Sequence, residues 1–438
     1  MSTEVIIVVL VLLGCMAGTV PVFMSLFFAG LLGLTVFADM PLMIIMQTMF
    51  RSMDNFSLVV VLFFVLCGNI MTAGSIVNKL VRVANVVVGW MPGGLGMVGI
   101  ITCGLFGAIS GSTVATVVAI GGFMIPALME NHYNERYSLG VMTTSPILGI
   151  VIPPSISMIL YSMVTSCSLQ KLFMTGFVPG ILIITVTCTY TYIVCRRGHQ
   201  IKAPVPTFAD VVDAFKDGVW SLMLPVIIFA GIFSGIFTAN EAAVVACAYA
   251  FVVEIVIHRD MNWEKVFKVT VNSAVTSATL LIIVSGATCF GRYLSLRGIP
   301  DAITNAVVSQ IHSPWVFLLA MNVLLLIVGM FMDIISATLI LTPIFLPMLN
   351  QFGINVLHFG LLMTVNLGIG YATPPLGVSL YITGAMTNRN LIYTTRACLP
   401  FLAIQIGILL LLSYWPDLVL ILPKLWYGSV DEIAMFGL

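Results

Sequence analysis

Two proline pairs within long apolar stretches are the parts of this sequence most suited to bind an ion. Pro153–Pro154 stands four residues after Gly149, and Pro374–Pro375 stands four residues after Gly370. A proline pair removes two backbone donors from a helix and leaves carbonyl oxygens of the preceding turn without partners. At membrane depth, such oxygens persist only where protein or a water-filled cavity satisfies them. Each break therefore predicts a place where carbonyl oxygens bind a cation.

A cluster of hydroxyl groups precedes the first proline pair. Ser110, Ser112 and Thr113 flank Gly111 in an apolar stretch rich in small residues. Their oxygens can join the freed carbonyl groups around one Na⁺, which needs no carboxylate. For any single residue, the favoured alternative is that Gly and Pro only permit close helix packing and kinks; the matched pair of clusters favours ion sites. The predicted cation-binding residues are Ser110, Gly149, Ile152 and Pro154 at the first break and Gly329, Gly370 and Thr373 at the second.

Three charged residues lie within or beside apolar segments, where a charge is costly and usually faces a pathway or a partner. Arg292 is a candidate to bind a carboxylate bidentately, and the alternative is that it reaches to the lipid headgroups. Asp333 either binds substrate hydroxyls or organises the second hairpin, and Glu241 is expected to act structurally. The predicted substrate-binding residues are Ser112, Thr113, Arg292, Asp333 and Ser336.

The elements that position these residues must lie in lipid. Of 438 residues, 60% are hydrophobic and only 8% are charged, whereas about a quarter of a soluble protein is charged. The apolar runs exceed the roughly 20 residues needed to span a bilayer. A formal net charge of zero excludes a strongly basic nucleic-acid binder. The composition predicts an all-α, multi-pass membrane protein.

Signatures of enzymes are absent from the sequence. The five histidines make no metal-binding pair, and the nine cysteines have no paired or metal-like spacing. The chain contains no Gly-x-x-x-x-Gly-Lys loop to cradle a phosphate, so ATP does not drive it directly. The sequence therefore predicts neither an enzyme nor a bound cofactor other than an ion.

Residues separated by one constant offset indicate that the chain is duplicated. The proline pairs differ by 221 positions, as do Pro126 and Pro347, and Asn134 and Asn355. That offset is about half of the 438 residues. The predicted organisation is a first repeat over 1–200 and a second over 201–438, with re-entrant hairpins near 104–130 and 328–350 and broken helices near 138–165 and 357–385.

Two stretches leave the number of membrane crossings open. Residues 5–37 form one broken span or two short ones, and 219–258 hold two spans around a polar segment. If the halves are inverted, each crosses an odd number of times, and the orientation of the termini stays open. Residues 263–277 are expected to form a helix at the membrane surface before a span over 277–295.

At these motifs the sequence resembles the large membrane subunit of tripartite ATP-independent periplasmic (TRAP) transporters. The resemblance is carried by the ANEAA segment, FGAISGSTVATVVAIGGFMIPAL, LGIVIPPSISMILY, GMFMDIISATLILTPIFLPML and HFGLLMTVNLGIGYATPPLGVSLY. With the pattern of spans, it covers essentially the whole chain. It implies an elevator-type fold of two inverted repeats in the bacterial inner membrane. The family's Na⁺ sites, carried across residue by residue, fall on the cation-binding residues given above.

The resemblance also implies a function and partners. It implies Na⁺-coupled uptake of a small organic acid, with Na⁺ as the coupling ion and no other cofactor. A soluble periplasmic substrate-binding protein would deliver the acid, and a small membrane subunit would complete the transporter. About four residues precede the first span, so the small subunit is expected as a separate chain.

Other functions remain open at this point. An autonomous Na⁺/organic-anion symporter would use the same plan without a binding protein, and an ion channel or a membrane scaffold would need no transport cycle. The acid itself is also open, between C4-dicarboxylates, keto acids and sialic acid.

Overall fold

The computed structural model describes residues 3–18, 20–196, 198, 200–201, 203–428 and 430, and in these residues every regular element is a helix. Ten helical segments of this described part are long and apolar enough to cross a membrane. The protein is therefore an all-α, multi-pass membrane protein, as its composition predicts.

The first half of the chain begins with two short helices rather than one broken span. Pro21 precedes the second of them, which a π-helical segment extends to Phe37. Another π-helical segment joins α7 to α8. The helices of this half are α1 (Thr3–Ala17), α2 (Val22–Leu32), α3 (Leu42–Met53), α4 (Val59–Ala73), α5 (Ile76–Val88), α6 (Gly94–Ser110), α7 (Thr113–Thr116), α8 (Gly122–Glu130), α9 (Glu135–Thr144), α10 (Leu148–Val151), α11 (Ile156–Thr165), α12 (Leu169–Thr175) and α13 (Phe177–Cys195).

The second half contains the longest helices. Within residues 219–258, one span precedes the polar segment and another follows it. A π-helical segment continues the second span to Ile257. The helices of this half are α14 (Phe208–Phe233), α15 (Ala239–Val252), α16 (Trp263–Leu296), α17 (Ile299–Gln310), α18 (Pro314–Phe331), α19 (Ile334–Phe352), α20 (Val356–Gly370), α21 (Val378–Thr387), α22 (Leu391–Tyr414) and α23 (Pro416–Tyr427).

Paired asparagines begin the helices that lead to the two proline breaks. Asn134 Oδ1 accepts a hydrogen bond from the N–H of Arg136 at 2.9 Å before α9, and Asn355 Oδ1 accepts one from the N–H of Leu357 at 2.9 Å before α20. Asparagine is among the strongest N-cap residues. The offset of 221 also relates the last residue of α6 to that of α18, and the first residue of α7 to that of α19. These helix boundaries therefore recur at the same offset as the sequence motifs.

The long helix α16 corrects one expectation. Residues 263–277 do not form a separate surface helix, because α16 continues without a break through them to Leu296. The equivalent stretch of the first half is divided between α3 and α4 at Asn55, which caps a 3₁₀ turn by accepting from the N–H of Ser57 at 2.9 Å. Thr276 occupies the position of Asn55 in the second half, and its hydroxyl donates to a carbonyl of its own helix instead.

Glu254 joins the end of α15 to the start of α5 in the other half of the chain. Its side chain is fully buried, and its carboxylate accepts the N–H groups of Ser75 and Ile76, each at 3.0 Å. His258 Nδ1 lies 3.1 Å from Ser75 Oγ and 3.6 Å from that carboxylate. A carboxylate satisfies the donors that a helix N-terminus leaves unpaired. Because α4 also packs on α15 and α16, we call α4, α5, α15 and α16 the scaffold helices.

Candidate ion and substrate site

The hydroxyl cluster of the first break lies between α6 and α7. α6 ends at Ser110, and Gly111 adopts a φ of 60°, a left-handed conformation that favours glycine. Ser112 then caps α7, because its hydroxyl oxygen accepts the N–H of Ala115 at 3.4 Å. Two helices thus meet at a two-residue turn, and the hydroxyl groups predicted from the sequence lie at that turn.

Thr116 connects the hydroxyl cluster to the first broken helix. Its Oγ1 donates to the carbonyl oxygen of Ser112 at 2.7 Å and lies 3.4 Å from Ser110 Oγ. Gly149 packs onto the same atoms, since a Cβ there would lie 2.6 Å from Thr116 Oγ1 and 2.8 Å from the Ser112 carbonyl oxygen. Sequence reasoning missed Thr116. Its position four residues after Ser112 could have indicated it, because residues at that spacing share a helix face.

The first proline pair meets the same turn from the other side. A Cβ on Gly111 would lie 2.8 Å from the carbonyl oxygen of Pro154, and the N–H of Ile156 donates to the Gly111 carbonyl at 3.4 Å. The peptide bond between the two prolines is cis, as it is in the second pair. The side chain of Ile152 points elsewhere and packs on Gly180. The structure therefore brings together Ser110, Gly149 and Pro154, and leaves Ile152 only its backbone carbonyl to contribute.

The second break is built from backbone packed on backbone. A Cβ on Gly370 would lie 2.6 Å from the carbonyl carbon of Gly329, and one on Gly329 would lie 3.1 Å from the carbonyl oxygen of Leu367. Thr373 follows one turn later, where its hydroxyl donates to the Ile369 carbonyl at 2.7 Å. Its own oxygen keeps lone pairs for another partner. Gly329 and Gly370 are thus in direct contact, with Thr373 close by in the chain.

Asp333 organises the turn between α18 and α19, which is the tip of the predicted second hairpin. It is the N-cap of α19, and its carboxylate accepts the N–H of Ser336 at 2.9 Å. The N–H of Ile334 donates to the hydroxyl of Tyr371 at 2.9 Å, which ties this tip to the second broken helix. The hydroxyl of Ser336 is buried without a hydrogen-bond partner. Among the described residues, no basic side chain lies within 4.0 Å of the Asp333 carboxylate to neutralise it.

A cavity of about 460 Å³ is lined by residues of the two breaks and by the scaffold helices α4 and α16. The first break contributes Ser110, Ser112 and Thr113 to its wall, and the second contributes Ile334 and Tyr371. The hydroxyl of Thr113 is buried and has no partner. Every lining residue within the described part of the chain is uncharged. The volume falls in the range of small-molecule sites, and the polar groups are few and neutral.

The three charged residues of the sequence argument have different surroundings. Glu241 forms a capping box with Thr238 at the start of α15, so it acts structurally as expected. Arg292 is exposed and does not line the cavity. It lies 12 residues beyond Leu280, the last lining residue of α16, or about 18 Å along the helix. The structure does not bring Arg292 to the cavity or pair it with Asp333.

Residues 9–418 match the family model of the tripartite ATP-independent periplasmic transporter, DctM component. The chain belongs to this family. It is 37% identical over 404 residues to the C4-dicarboxylate TRAP transporter large permease protein DctM of Pseudomonas aeruginosa, across 92% of this chain and 94% of that protein. It is 35% identical over 398 residues to the isethionate TRAP transporter permease protein DctMQ of Oleidesulfovibrio alaskensis, across 91% of this chain and 63% of that protein.

A solved transporter shares the fold of this TRAP permease. The Alcanivorax borkumensis YdaH transporter superposes with a TM-score of 0.63 over 86% of this chain and 89% of that one, at 15% sequence identity. At that identity, the likeness concerns the fold alone. The family members are transporter permeases and not enzymes. The chain is thus a multi-pass membrane permease, and in a bacterial cell the inner membrane is its expected site.

Proposed function

We propose that this TRAP permease carries a small organic acid into the cell and that the inward movement of Na⁺ drives the transport. The observation that supports this most is a neutral cavity whose wall includes residues of both breaks, which are related by the offset of 221. A substrate in that cavity would contact both breaks at once. Ions held at the breaks would therefore stabilise the substrate, and the substrate would stabilise the ions, which is the reciprocity that coupling requires.

The oxygen atoms at the breaks suit Na⁺. At the first break, Ser110, Ser112 and Thr116 place two hydroxyl oxygens and a carbonyl oxygen beside Gly149. At the second break, Thr373 adds a hydroxyl oxygen to the carbonyl groups of the broken helix. Hydroxyl and carbonyl oxygens are the ligands that discontinuous helices offer to Na⁺ in transporters. These residues form the two proposed ion sites.

The substrate class follows from relatives and from charge. The relatives described above are named for C4-dicarboxylate and isethionate, which are small acids. In this chain, the cavity wall has no basic side chain, so bound Na⁺ would balance much of the charge of the acid. We expect the affinity for the acid to depend on Na⁺ for that reason.

The proposed transporter has three components, as the word tripartite in the family description indicates. A periplasmic binding protein would deliver the acid, and a small membrane subunit would sit beside this chain. The two repeats would be inverted, and the hairpins would move as an elevator against the scaffold helices. Gly68 of α4 supports such sliding, because a Cβ there would lie only 3.1 Å from Ser110 Cα, so the two helices approach closely at this point without a side chain from α4 between them.

Reconstitution tests this proposal. The permease, its small subunit and its binding protein are placed in liposomes, and uptake of a panel of organic acids is measured with an inward Na⁺ gradient or an equal K⁺ gradient. Saturable uptake with Na⁺ alone is the expected result. Equal uptake with K⁺ would contradict Na⁺ coupling, uptake without the binding protein would favour an autonomous symporter, and flux that never saturates would favour a channel.

A further inference from the structure

The two walls of the cavity differ in their hydrogen-bonding groups. The scaffold wall contributes Asn69 and Thr72 from α4 and Thr276 from α16, whereas the opposite wall, called the hairpin wall, contributes hydroxyl groups that include those of Ser112 and Thr113. All five side chains are neutral, so only the positions of their protons separate donors from acceptors. Those positions are fixed by the hydrogen bonds that each side chain makes inside the protein.

The hydrogen bonds of Ser273 orient the amide of Asn69. Ser273 donates its hydroxyl proton to the carbonyl of Val269 at 2.8 Å. Its oxygen must therefore accept the second hydrogen bond, which joins it to Asn69 Nδ2 at 2.9 Å. The NH₂ group of Asn69 thus faces Ser273, and its Oδ1 has no partner within the described residues. Ser273 is 2% exposed, so water does not compete for its hydrogen bond with Asn69.

The other two polar groups of the scaffold wall are acceptors as well. Thr72 donates its hydroxyl proton to the Gly68 carbonyl at 2.8 Å, and Thr276 donates to the Asn272 carbonyl at 2.9 Å. Both hydroxyl oxygens keep lone pairs but have no proton left to donate. The scaffold wall therefore offers three acceptor oxygens and, as a donor, only the second N–H of Asn69.

The hairpin wall has the opposite character. Thr113 is 3% exposed, and its hydroxyl has no hydrogen-bond partner among the described residues. Ser112 uses its oxygen to accept the N–H of Ala115, so its proton is still available. A carboxylate accepts hydrogen bonds and cannot donate them. It therefore fits the hairpin wall and is unsuited to the scaffold wall.

We infer that the scaffold wall recognises a hydrogen-bond donor and that the substrate is a hydroxylated organic acid. Its carboxylate lies at Ser112 and Thr113, and a hydroxyl group donates to Asn69 Oδ1. Ser273 is a positioning residue, because it holds the amide so that the oxygen is the exposed atom. This inference rests on the proposed function and adds the chemical class of the acid.

Two pairs of acids that differ by one hydroxyl group test the inference. Malate is compared with succinate, and lactate with propionate, by their binding to the permease with its small subunit in nanodiscs containing Na⁺. A hydroxyl that pairs with a buried acceptor changes affinity roughly 5- to 150-fold. We expect the hydroxylated acid of each pair to bind more tightly by a factor in that range, whether it has one carboxylate or two.

Variants separate recognition from general damage. Asn69→Leu removes the acceptor and should bring the affinity ratio within each pair close to one. Ser273→Ala frees the amide to rotate and should reduce the ratio without abolishing binding. Thr276→Val should reduce it less. Thr279→Val is the matched control, because Thr279 also donates to a carbonyl of α16 but does not line the cavity.

The outcomes distinguish this inference from the proposed function. Equal binding within both pairs, or a ratio that survives Asn69→Leu in a folded protein, overturns the inference and leaves Na⁺-coupled acid transport in place. If none of the four acids binds in Na⁺, the inference is overturned, whereas the reconstitution with the full panel of acids decides the proposed function separately. A preserved ratio in Ser273→Ala contradicts the positioning role of Ser273.

Discussion

The two breaks occupy equivalent positions in the repeats but differ in charge. Ser112 caps the helix after the first break, and Asp333 caps the helix at the equivalent position 221 residues later. Each accepts a backbone N–H, from Ala115 in one case and from Ser336 in the other. The backbone needs only an acceptor there, and a hydroxyl meets that need as well as a carboxylate. The carboxylate of the second break is therefore available for a further role, which the first break lacks.

The glycines of the two breaks also face different atoms. Gly149 packs on the hydroxyl of Thr116 and the carbonyl of Ser112, whereas Gly370 packs on the backbone of Gly329. The Thr116 hydroxyl can turn aside, whereas the backbone of Ser112 and of Gly329 can move only with its helix, so the second break is the one packed on backbone alone. We therefore expect the first break to depend on its hydroxyl groups, and the second on close helix contact and on the charge of Asp333.

The largest effect should come from Gly370→Ala. The new Cβ would lie 2.6 Å from the carbonyl carbon of Gly329, so α18 and α20 must separate. Overpacking of this kind costs about 1–3 kcal/mol, and we expect a lower unfolding temperature together with loss of uptake. Gly407→Ala is the control, because a Cβ there meets no atom within 4 Å. Normal uptake by Gly370→Ala would show that the contact at the second break is not needed.

Asp333→Asn should have the next largest effect. Asparagine caps helices as well as aspartate does, so the substitution removes the charge and keeps the cap. At an effective dielectric constant of about 20, two unit charges about 10 Å apart attract by roughly 1.7 kcal/mol, so loss of this charge near the second break should raise the half-saturating Na⁺ concentration at least roughly tenfold. The measurement is uptake at varied Na⁺, with Ser112→Asn as the equivalent exchange at the first break. An unchanged Na⁺ dependence would mean that the charge serves only the hairpin.

Structural effects that a residue exerts on the neighbouring backbone could be predicted from the sequence. Prolines break helices and asparagines cap them without help from distant residues, so the breaks and their common offset were predictable. The divided helix at Asn55 was predictable for the same reason, but the continuous α16 was not, because Thr276 has two ways to use its hydroxyl and only the structure shows which applies.

Side chains whose partners lie far along the chain could not be placed from the sequence. Thr116 meets Gly149 only because α7 folds against α10. The orientation of Asn69 depends on Ser273, 204 residues away. Arg292 looked suited to a carboxylate because of its charge in apolar sequence, yet its distance along α16 keeps it from the cavity. Periodicity assigns a residue to a helix, and tertiary packing decides what that residue faces.

Thr373→Ala should weaken Na⁺ dependence moderately. The hydroxyl already donates to the Ile369 carbonyl, so the substitution removes only the lone pairs that could bind an ion. The backbone carbonyls remain. A neutral ligand of this kind contributes about 1 kcal/mol, or roughly fivefold in half-saturating Na⁺. Thr373→Ser keeps the oxygen and should behave like the unaltered protein. If the Ala and Ser variants have the same Na⁺ dependence, the hydroxyl does not bind the ion.

Thr116→Val should have the smallest effect and gives the sharpest comparison of the two breaks. It removes the hydroxyl that joins Ser110 to Ser112 but leaves the oxygens of both serines, so we expect roughly a two- to fivefold change in half-saturating Na⁺.

The double variant with Thr373→Ala then measures coupling, because distant and independent sites give additive free-energy changes within about 0.3–0.5 kcal/mol. If both ions contact one bound substrate, the free-energy changes of the two substitutions in Na⁺ binding should add without the acid and should not add when the acid is present. Additivity in both conditions would mean that the breaks act independently, and the shared cavity would then not couple them.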